Sequence, residues 1–181
     1  VYGLGADAAN GEAVARIYAA KERPRINPLI LHVADMRMAE RYAPFPPLAR
    51  QLAARFWPGP LTLVLPRHPD APVASLLLAG LETIALRIPS HGVMQRLLHE
   101  FDRGIAAPSA NRSGRISPTR AEHVFESLHG RIPLILDGGP AASGIESTII
   151  AIDGEVARLL RPGAIETAAI EAAIGIGVQT A

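Results

Sequence analysis

Residues 106–119 read Ala-Ala-Pro-Ser-Ala-Asn-Arg-Ser-Gly-Arg-Ile-Ser-Pro-Thr and concentrate groups that bind oxygen anions. Ser109, Asn111, Ser113 and Ser117 carry hydrogen-bond donors, while Arg112 and Arg115 carry fixed positive charge. Gly114 permits a backbone conformation that brings N–H groups up to a ligand. That chemistry suits phosphate. Pro118 follows Ser117, an N-cap candidate, so the loop is expected to end in a helix N-terminus whose dipole adds ~0.3–1 kcal/mol for a bound anion. The same run also describes a polar surface loop before a well-capped helix, since Ser, Asn, Gly and Pro are ordinary turn residues.

Two further cations stand out by type and place. Lys21 is the only lysine among 18 basic residues; a chain that otherwise uses arginine throughout, yet keeps one ammonium, points to a compact charge required there. Arg87 interrupts the apolar run 83–88. An unpaired charge in such a strand costs ~3–5 kcal/mol, so a protein carboxylate or an anionic ligand is expected to meet it. His32 is the one polar member of the run 29–33, a pattern that fits a core histidine as readily as a ligand. Residues 3–8, Gly-Leu-Gly-Ala-Asp-Ala, together with Asp35, imitate a relaxed dinucleotide fingerprint with no strand visible before it.

The elements that must carry these residues alternate between helical and strand periodicity, which predicts an α/β fold. Helices are expected over 11–20, 34–42, 48–56, 93–101, 121–128 and 166–173. Strands are expected over 29–33, 61–65, 83–88, from 105 onward, and over 132–136, 147–152 and 156–160. Pro24 stops the first helix before a basic turn, Trp57-Pro58-Gly59-Pro60 is a stiff turn, and Asp153-Gly154 is a hairpin turn. Thr119 and Glu122 form a candidate capping box.

At 181 residues the chain fits one domain, and a formal net charge of +1 provides no broad footprint for a nucleic-acid backbone. Cysteine is absent, which excludes disulfides and thiolate metal sites and accords with a reducing cytoplasm. The six histidines show no metal-ligand spacing, and no apolar run reaches the ~18 residues that cross a bilayer.

Lys21-Glu22-Arg23, the Pro-Ser-Ala-Asn-Arg-Ser-Gly loop, Gly144-Ile145-Glu146-Ser147-Thr148 and Leu160-Arg161-Pro162-Gly163 together resemble the YrdC-like family, the L-threonylcarbamoyladenylate synthases. Asn27-Pro28-Leu29-Ile30, Trp57-Pro58-Gly59-Pro60-Leu61-Thr62 and Leu136-Asp137-Gly138-Gly139 extend the resemblance, in order, nearly end to end. The resemblance implies a twisted, open, mixed sheet flanked by helices around one large, positively charged cavity. It implies a cytoplasmic enzyme that joins L-threonine, bicarbonate or CO2, and ATP into threonylcarbamoyl-AMP and pyrophosphate. Separate proteins would use that product to modify tRNA adenosine, with weak or no direct tRNA binding by this chain. Carried onto matching positions, ATP is expected at Lys21, Arg23, Asn27, Thr83, Ser109, Ser117 and Arg161, with Asn111 from the same loop, and threonine at His32, Arg87, the backbone of Ala107, and Ser147. Lys21 and Arg23 are the expected catalytic charges, and Mg2+ is expected to arrive on the phosphate oxygens of ATP without protein ligands.

Residues 1–181 are therefore read as a single YrdC-like domain that starts after its first strand, since the family usually has Pro-Thr-Glu-Thr before Val-Tyr-Gly-Leu-Gly. Longer members carry a further C-terminal domain beyond this chain. Two other readings share some of these features. A carbamoyl-adenylate-forming module of the hydrogenase-maturation type would use carbamoyl phosphate, and an RNA-binding module would use the basic surface without catalysis.

Overall fold

The structure is a computed structural model that describes residues 1–180. Among these, one eight-stranded mixed sheet runs in the order β1-β5-β2-β4-β3-β6-β7-β8. The strands are β1 (Ala6–Asp7), β2 (Ile30–His32), β3 (Leu61–Pro66), β4 (Thr83–Arg87), β5 (Ile105–Ala106), β6 (Thr148–Asp153), β7 (Val156–Arg161) and β8 (Gln179–Thr180). The pairs β2/β4, β3/β6 and β7/β8 are parallel, and the remaining pairs are antiparallel.

Strand periodicity divides the sheet into two chemically distinct faces. Leu31, Leu63, Leu65, Ile84, Leu86, Ile150 and Ile152 point into the core and are almost fully buried. They join Val14, Ile17 and Tyr18 of α1 (Gly11–Lys21), Leu52 of α3 (Pro47–Phe56) and Ile170 of α7 (Thr167–Ile174) in one continuous cluster. The alternate positions, Ile30, Val64, Thr83, Ala85, Arg87, Ile149 and Ala151, are only partly buried. Register places His32 opposite Arg87 and Thr62 opposite Ile149 on this half-open face.

Helix α1 starts where Asn10 accepts hydrogen bonds from the N–H groups of Glu12 and Ala13 at 3.0 and 3.1 Å. It ends one residue later than periodicity suggests, with Glu22 left-handed at φ 54° and its N–H turned back to Ala19 and Tyr18 oxygens. The remaining helices are α2 (Met36–Ala39), α4 (Ser75–Leu78), α5 (Gly92–Phe101) and α6 (Ala121–Leu128).

Several expectations are corrected. The expected helix over 34–42 is a single turn, α2, capped by Asp35, which accepts from Met38 N–H at 2.7 Å. Asp35 is thus a helix cap, and residues 3–8 hold no dinucleotide turn. Gly3 bridges Ser109, and Ala6 and Asp7 pair antiparallel with β5. Residues 132–136 form no strand. Pro133 has no N–H to donate, Leu134 and Leu136 are exposed, and Ile132 and Ile135 pack three apart beside Val124 and Leu128 of α6. Helix α6 occupies the expected 121–128, but it starts at Ala121 and not at Pro118, with Arg120 at its N-cap and no side-chain cap. Ser117, Pro118 and Thr119 are held in other ways: the Ser117 hydroxyl donates to Glu146, Pro118 O accepts from Tyr2 N–H, and Thr119 O accepts from Ala141 N–H. The expected helix-terminus anion site and the Thr119/Glu122 capping box are therefore not formed. The short elements α4 and β8 had no periodic signal long enough to mark them.

Candidate active site

The loop that follows β5 is pinned to the C-terminal end of α1. Lys21, 1% exposed, donates from Nζ to the main-chain oxygens of Ser109 and Asn111, and Ser113 N–H returns a hydrogen bond to Lys21 O at 2.9 Å. Glu22 adds two contacts to the Arg112 guanidinium at 2.6 Å and one to Arg131 at 2.9 Å. Within the loop, Asn111 spends both amide hydrogens on Arg112 O and Arg115 O, at 3.0 and 2.7 Å, leaving Oδ1 buried without a partner. Gly114 adopts φ 78°, the left-handed conformation for which glycine is suited. Asn111 thus shapes the loop by donation, and Ser109 offers its main-chain oxygen to Lys21.

Arg87 lies at the end of β4, where alternation turns it to the half-open face. Its Nε donates to Gly59 O at 2.9 Å, and Gly59 N–H donates to Ile88 O at 2.9 Å, so the stiff 57–60 turn fixes this guanidinium. A Cβ at Gly59 would lie 2.3 Å from Phe56 O, so the tight turn requires glycine. Among the described residues no carboxylate forms an ion pair with Arg87. His32, opposite it in register, is buried, with Nδ1 lacking a partner. Burial first, and the Arg87 charge second, push the His32 pKa down to about 3, so the ring is neutral. Ala107 donates its N–H to Ile30 O at 3.1 Å.

The neutral His32 has a measurable consequence. Between pH 6.5 and about 3 an unfolded histidine binds a proton that the folded one refuses, so acidification favours unfolding. Stability is expected to fall with decreasing pH through that window by on the order of 1 kcal/mol per pH unit from this group alone. Thermal melts of wild type and His32→Gln across it check the point: the variant should show the shallower slope, and identical slopes would contradict it.

The segment preceding β6 supplies a second set of groups. Ser147 Oγ lies 2.7 Å from Thr62 Oγ1, and Arg161 wraps Ser147 through Nε and Nη2 to its main-chain oxygen, at 3.1 and 2.8 Å, and through Nη2 to its hydroxyl at 3.0 Å. Arg161 Nη1 also donates to Glu146, whose other carboxylate oxygen accepts from Ser117 Oγ at 2.7 Å. Gly163 makes this fit possible, because a Cβ there would sit 2.4 Å from the main chain of Ser147 and Thr148. Ala164 N–H and the Thr148 hydroxyl complete the strap, bonding Glu146 O and Ile165 O.

The structure therefore gathers Lys21, Arg23, Arg87, Ser117, Ser147 and Arg161 around Glu146. Burial is the main influence lowering the pKa of Lys21, to about 8, and of Arg23 and Arg87, with the neighbouring arginines adding to it; Glu146 works in the opposite direction on all three. Arg23 reaches Asn27 O and Pro28 O at 3.4 and 3.1 Å, which sets Asn27 beside it. Thr83 shares the face of Arg87 but stands at the opposite end of β4, ~13 Å away by strand rise, and so cannot touch the same small group. Glu146, Thr62, Gly59 and Gly163 were not singled out from sequence. Only its place in the Gly144–Thr148 motif marked Glu146, and that motif does not show what the carboxylate meets.

Neither of two hollows in the structure is the single large cavity expected. One hollow, about 410 Å³, is lined by Ala34, Asp35, Ala53, Trp57 and Ile88, and another by Ala121, Phe125 and Ile135. Neither includes Lys21, Arg23, Arg87 or Arg161. No group of three His, Cys, Asp or Glu side chains suited to a metal occurs among the described residues, and no helix there is long and apolar enough to cross a membrane.

The Sua5/YciO/YrdC family model, described as "Telomere recombination", matches residues 1–163. A threonylcarbamoyl-AMP synthase of Bacillus subtilis is 52% identical over 176 residues, 97% of this chain and 51% of the relative. The synthase of Pyrococcus abyssi is 48% identical over the same shares of each chain. A crystal structure of P. abyssi Sua5 complexed with L-threonine superposes with TM-score 0.93 at 48% identity, covering 99% of this chain and 53% of that one. Escherichia coli YciO, with TM-score 0.82 at 22% identity, shares the fold. The chain spans about half the length of the curated relatives it first matches. With the family model covering residues 1–163, the chain belongs to the Sua5/YciO/YrdC family.

Proposed function

We propose that this chain forms L-threonylcarbamoyladenylate from L-threonine, bicarbonate or CO2, and ATP, releasing pyrophosphate. The observation that carries the reading is Arg87: a guanidinium fixed from one side by Gly59 O, with no ion-paired carboxylate among the described residues, beside neutral His32 and in reach of the Arg161 charge. An amino acid carboxylate supplies the missing anion, and the Ser147 hydroxyl lies in the neighbouring Thr62–Arg161 cluster. The relative whose structure holds L-threonine supports this choice of amino acid.

Lys21, Arg23, Ser109, Ser117 and Arg161 then serve the nucleotide, which arrives as its Mg2+ complex. An ammonium has three N–H donors; Lys21 uses two on the loop and keeps one for a phosphate. The chemistry needs no protein nucleophile. The threonine amine takes up CO2, a carbamate oxygen attacks the α-phosphorus, and pyrophosphate leaves with the charge that Lys21 and Arg23 neutralise. Asn27 and Thr83 border this nucleotide side, Asn111 shapes its loop, and the backbone at Ala107 borders the threonine side. The product would pass to separate proteins that modify tRNA adenosine in the cytoplasm, without direct tRNA binding of consequence by this chain.

Incubation of the purified protein with ATP, threonine and bicarbonate tests the reading. Pyrophosphate and threonylcarbamoyl-AMP are the expected products, each requiring all three reactants. ADP and phosphate as main products, or a requirement for carbamoyl phosphate in place of threonine, would overturn it.

A further inference from the structure

We propose that Glu146 is a displaceable internal counter-ion, whose carboxylate occupies, between the Ser117 hydroxyl and the Arg161 guanidinium, the position that a nucleotide phosphate takes on binding. The proposal rests on the reading that Ser117 and Arg161 serve the nucleotide. Both of those groups hold the same carboxylate in this structure, one on each oxygen. Two oxygens accepting from a hydroxyl and a guanidinium reproduce the contacts a phosphate would make.

The electrostatics favour such a substitute. Lys21 feels the charge of Arg23, and Arg23 and Arg87 each feel that of Arg161, while Glu146 is the carboxylate that offsets them. Without an anion in that place the arginines repel one another at partly desolvated positions. The geometry also permits an exchange. Glu146 O is fixed by Ala164 N–H and the backbone around it by the close approach of Gly163, whereas the side chain is about one third exposed, at 36%. Only the carboxylate arm needs to rotate toward solvent. Nucleotide binding is then an ion exchange, in which Arg161 Nη1 and Ser117 Oγ change from one anion to another and Arg161 keeps its hold on Ser147.

The test uses inorganic pyrophosphate, titrated calorimetrically without metal at fixed ionic strength into the wild-type chain and Glu146→Gln, with thermal melts of both. Removing the competing carboxylate should tighten pyrophosphate binding at least about tenfold, equivalent to ~1.4 kcal/mol of competition. The ligand-free variant should melt lower than wild type, and saturating pyrophosphate should close the gap. Glu146→Asp retains the charge on a shorter arm that cannot span both partners, and should give a smaller tightening; it carries the test if the glutamine variant does not fold. Unchanged affinity would show that the carboxylate is not in the phosphate position. Weaker affinity would show that it supports the anion site. Either result overturns the proposal. Failure to form threonylcarbamoyl-AMP, with pyrophosphate binding still tightened, would remove the synthase reading and leave the counter-ion in place.

Discussion

Arg87→Gln is expected to lose threonine affinity by roughly 100-fold or more while the melting temperature stays level or rises. The two halves of this expectation have separate origins. Hydrogen bonds to a charged group are each worth ~1.5–3 kcal/mol, and a guanidinium meeting a carboxylate makes two, so their loss exceeds ~3 kcal/mol. In the free protein the same side chain makes one hydrogen bond, to Gly59 O, while burial and the Arg161 charge both work against its ionised form. Losing that bond costs ~1 kcal/mol, and relief of the desolvated, unpaired charge offsets it. Arg87→Lys keeps charge without the planar fork and should fall between the two. Titration of threonine, with ATP affinity and a melt measured alongside, decides the matter. A variant that binds threonine normally would remove Arg87 from the site, and one that melts far below wild type would make it structural.

The half-open sheet face gathers these groups through two parallel pairings. Parallel pairing of β2 with β4 puts His32 beside Arg87, and parallel pairing of β3 with β6 brings Thr62 to the Ser147 segment. Arg161 then links the sides, holding Ser147 with one part of its guanidinium and Glu146 with another. A change in the anion at one edge of this fork is therefore felt by the residue expected to hold threonine at the other.

Much of this was legible in the sequence because the relevant signals are local. The apolar run 83–88 marked β4 and made Arg87 conspicuous as the cation that interrupts it; the apolar stripe of 93–101 marked α5. What failed was local chemistry overridden by distant partners. Ser117 and Pro118 look like a helix start, but Glu146 and the N–H of Tyr2 capture them, and the helix begins three residues later than Pro118. Residues 132–136 have strand composition, yet no strand lies beside them, and the apolar side chains settle against α6. Glu146 was invisible as a site residue because its role depends on Ser117 and Arg161, 29 and 15 residues away. Gly163 could not be read for the same reason, since its need for a bare Cα comes from the backbone at Ser147.

Lys21→Arg and Lys21→Met are expected to fail together, in stability as well as activity, although only the second removes the charge. Lys21 is 1% exposed and its ammonium sits between two main-chain oxygens, a geometry that suits a compact donor better than a planar fork. Methionine fills the volume but leaves the Ser109 and Asn111 oxygens without their donor, at ~1–3 kcal/mol each. The sum, about 2–6 kcal/mol, corresponds to a fall of roughly 5–20 °C in Tm for a chain of this size. The loop carrying Ser109, Arg112 and Ser117 loses its anchor at the same time, so ATP affinity should fall in both variants even where ligand restores folding. Arg50→Lys is the matched control: its partner is Glu40 at 2.7 Å in an exposed ion pair, worth less than ~1 kcal/mol, and both Tm and activity should be nearly unchanged. Melts and ATP titrations of the three proteins separate the possibilities. A Lys21→Arg protein with wild-type Tm but no ATP binding would make Lys21 a ligand contact and nothing more, and one with wild-type Tm and full activity would remove it from the machinery altogether.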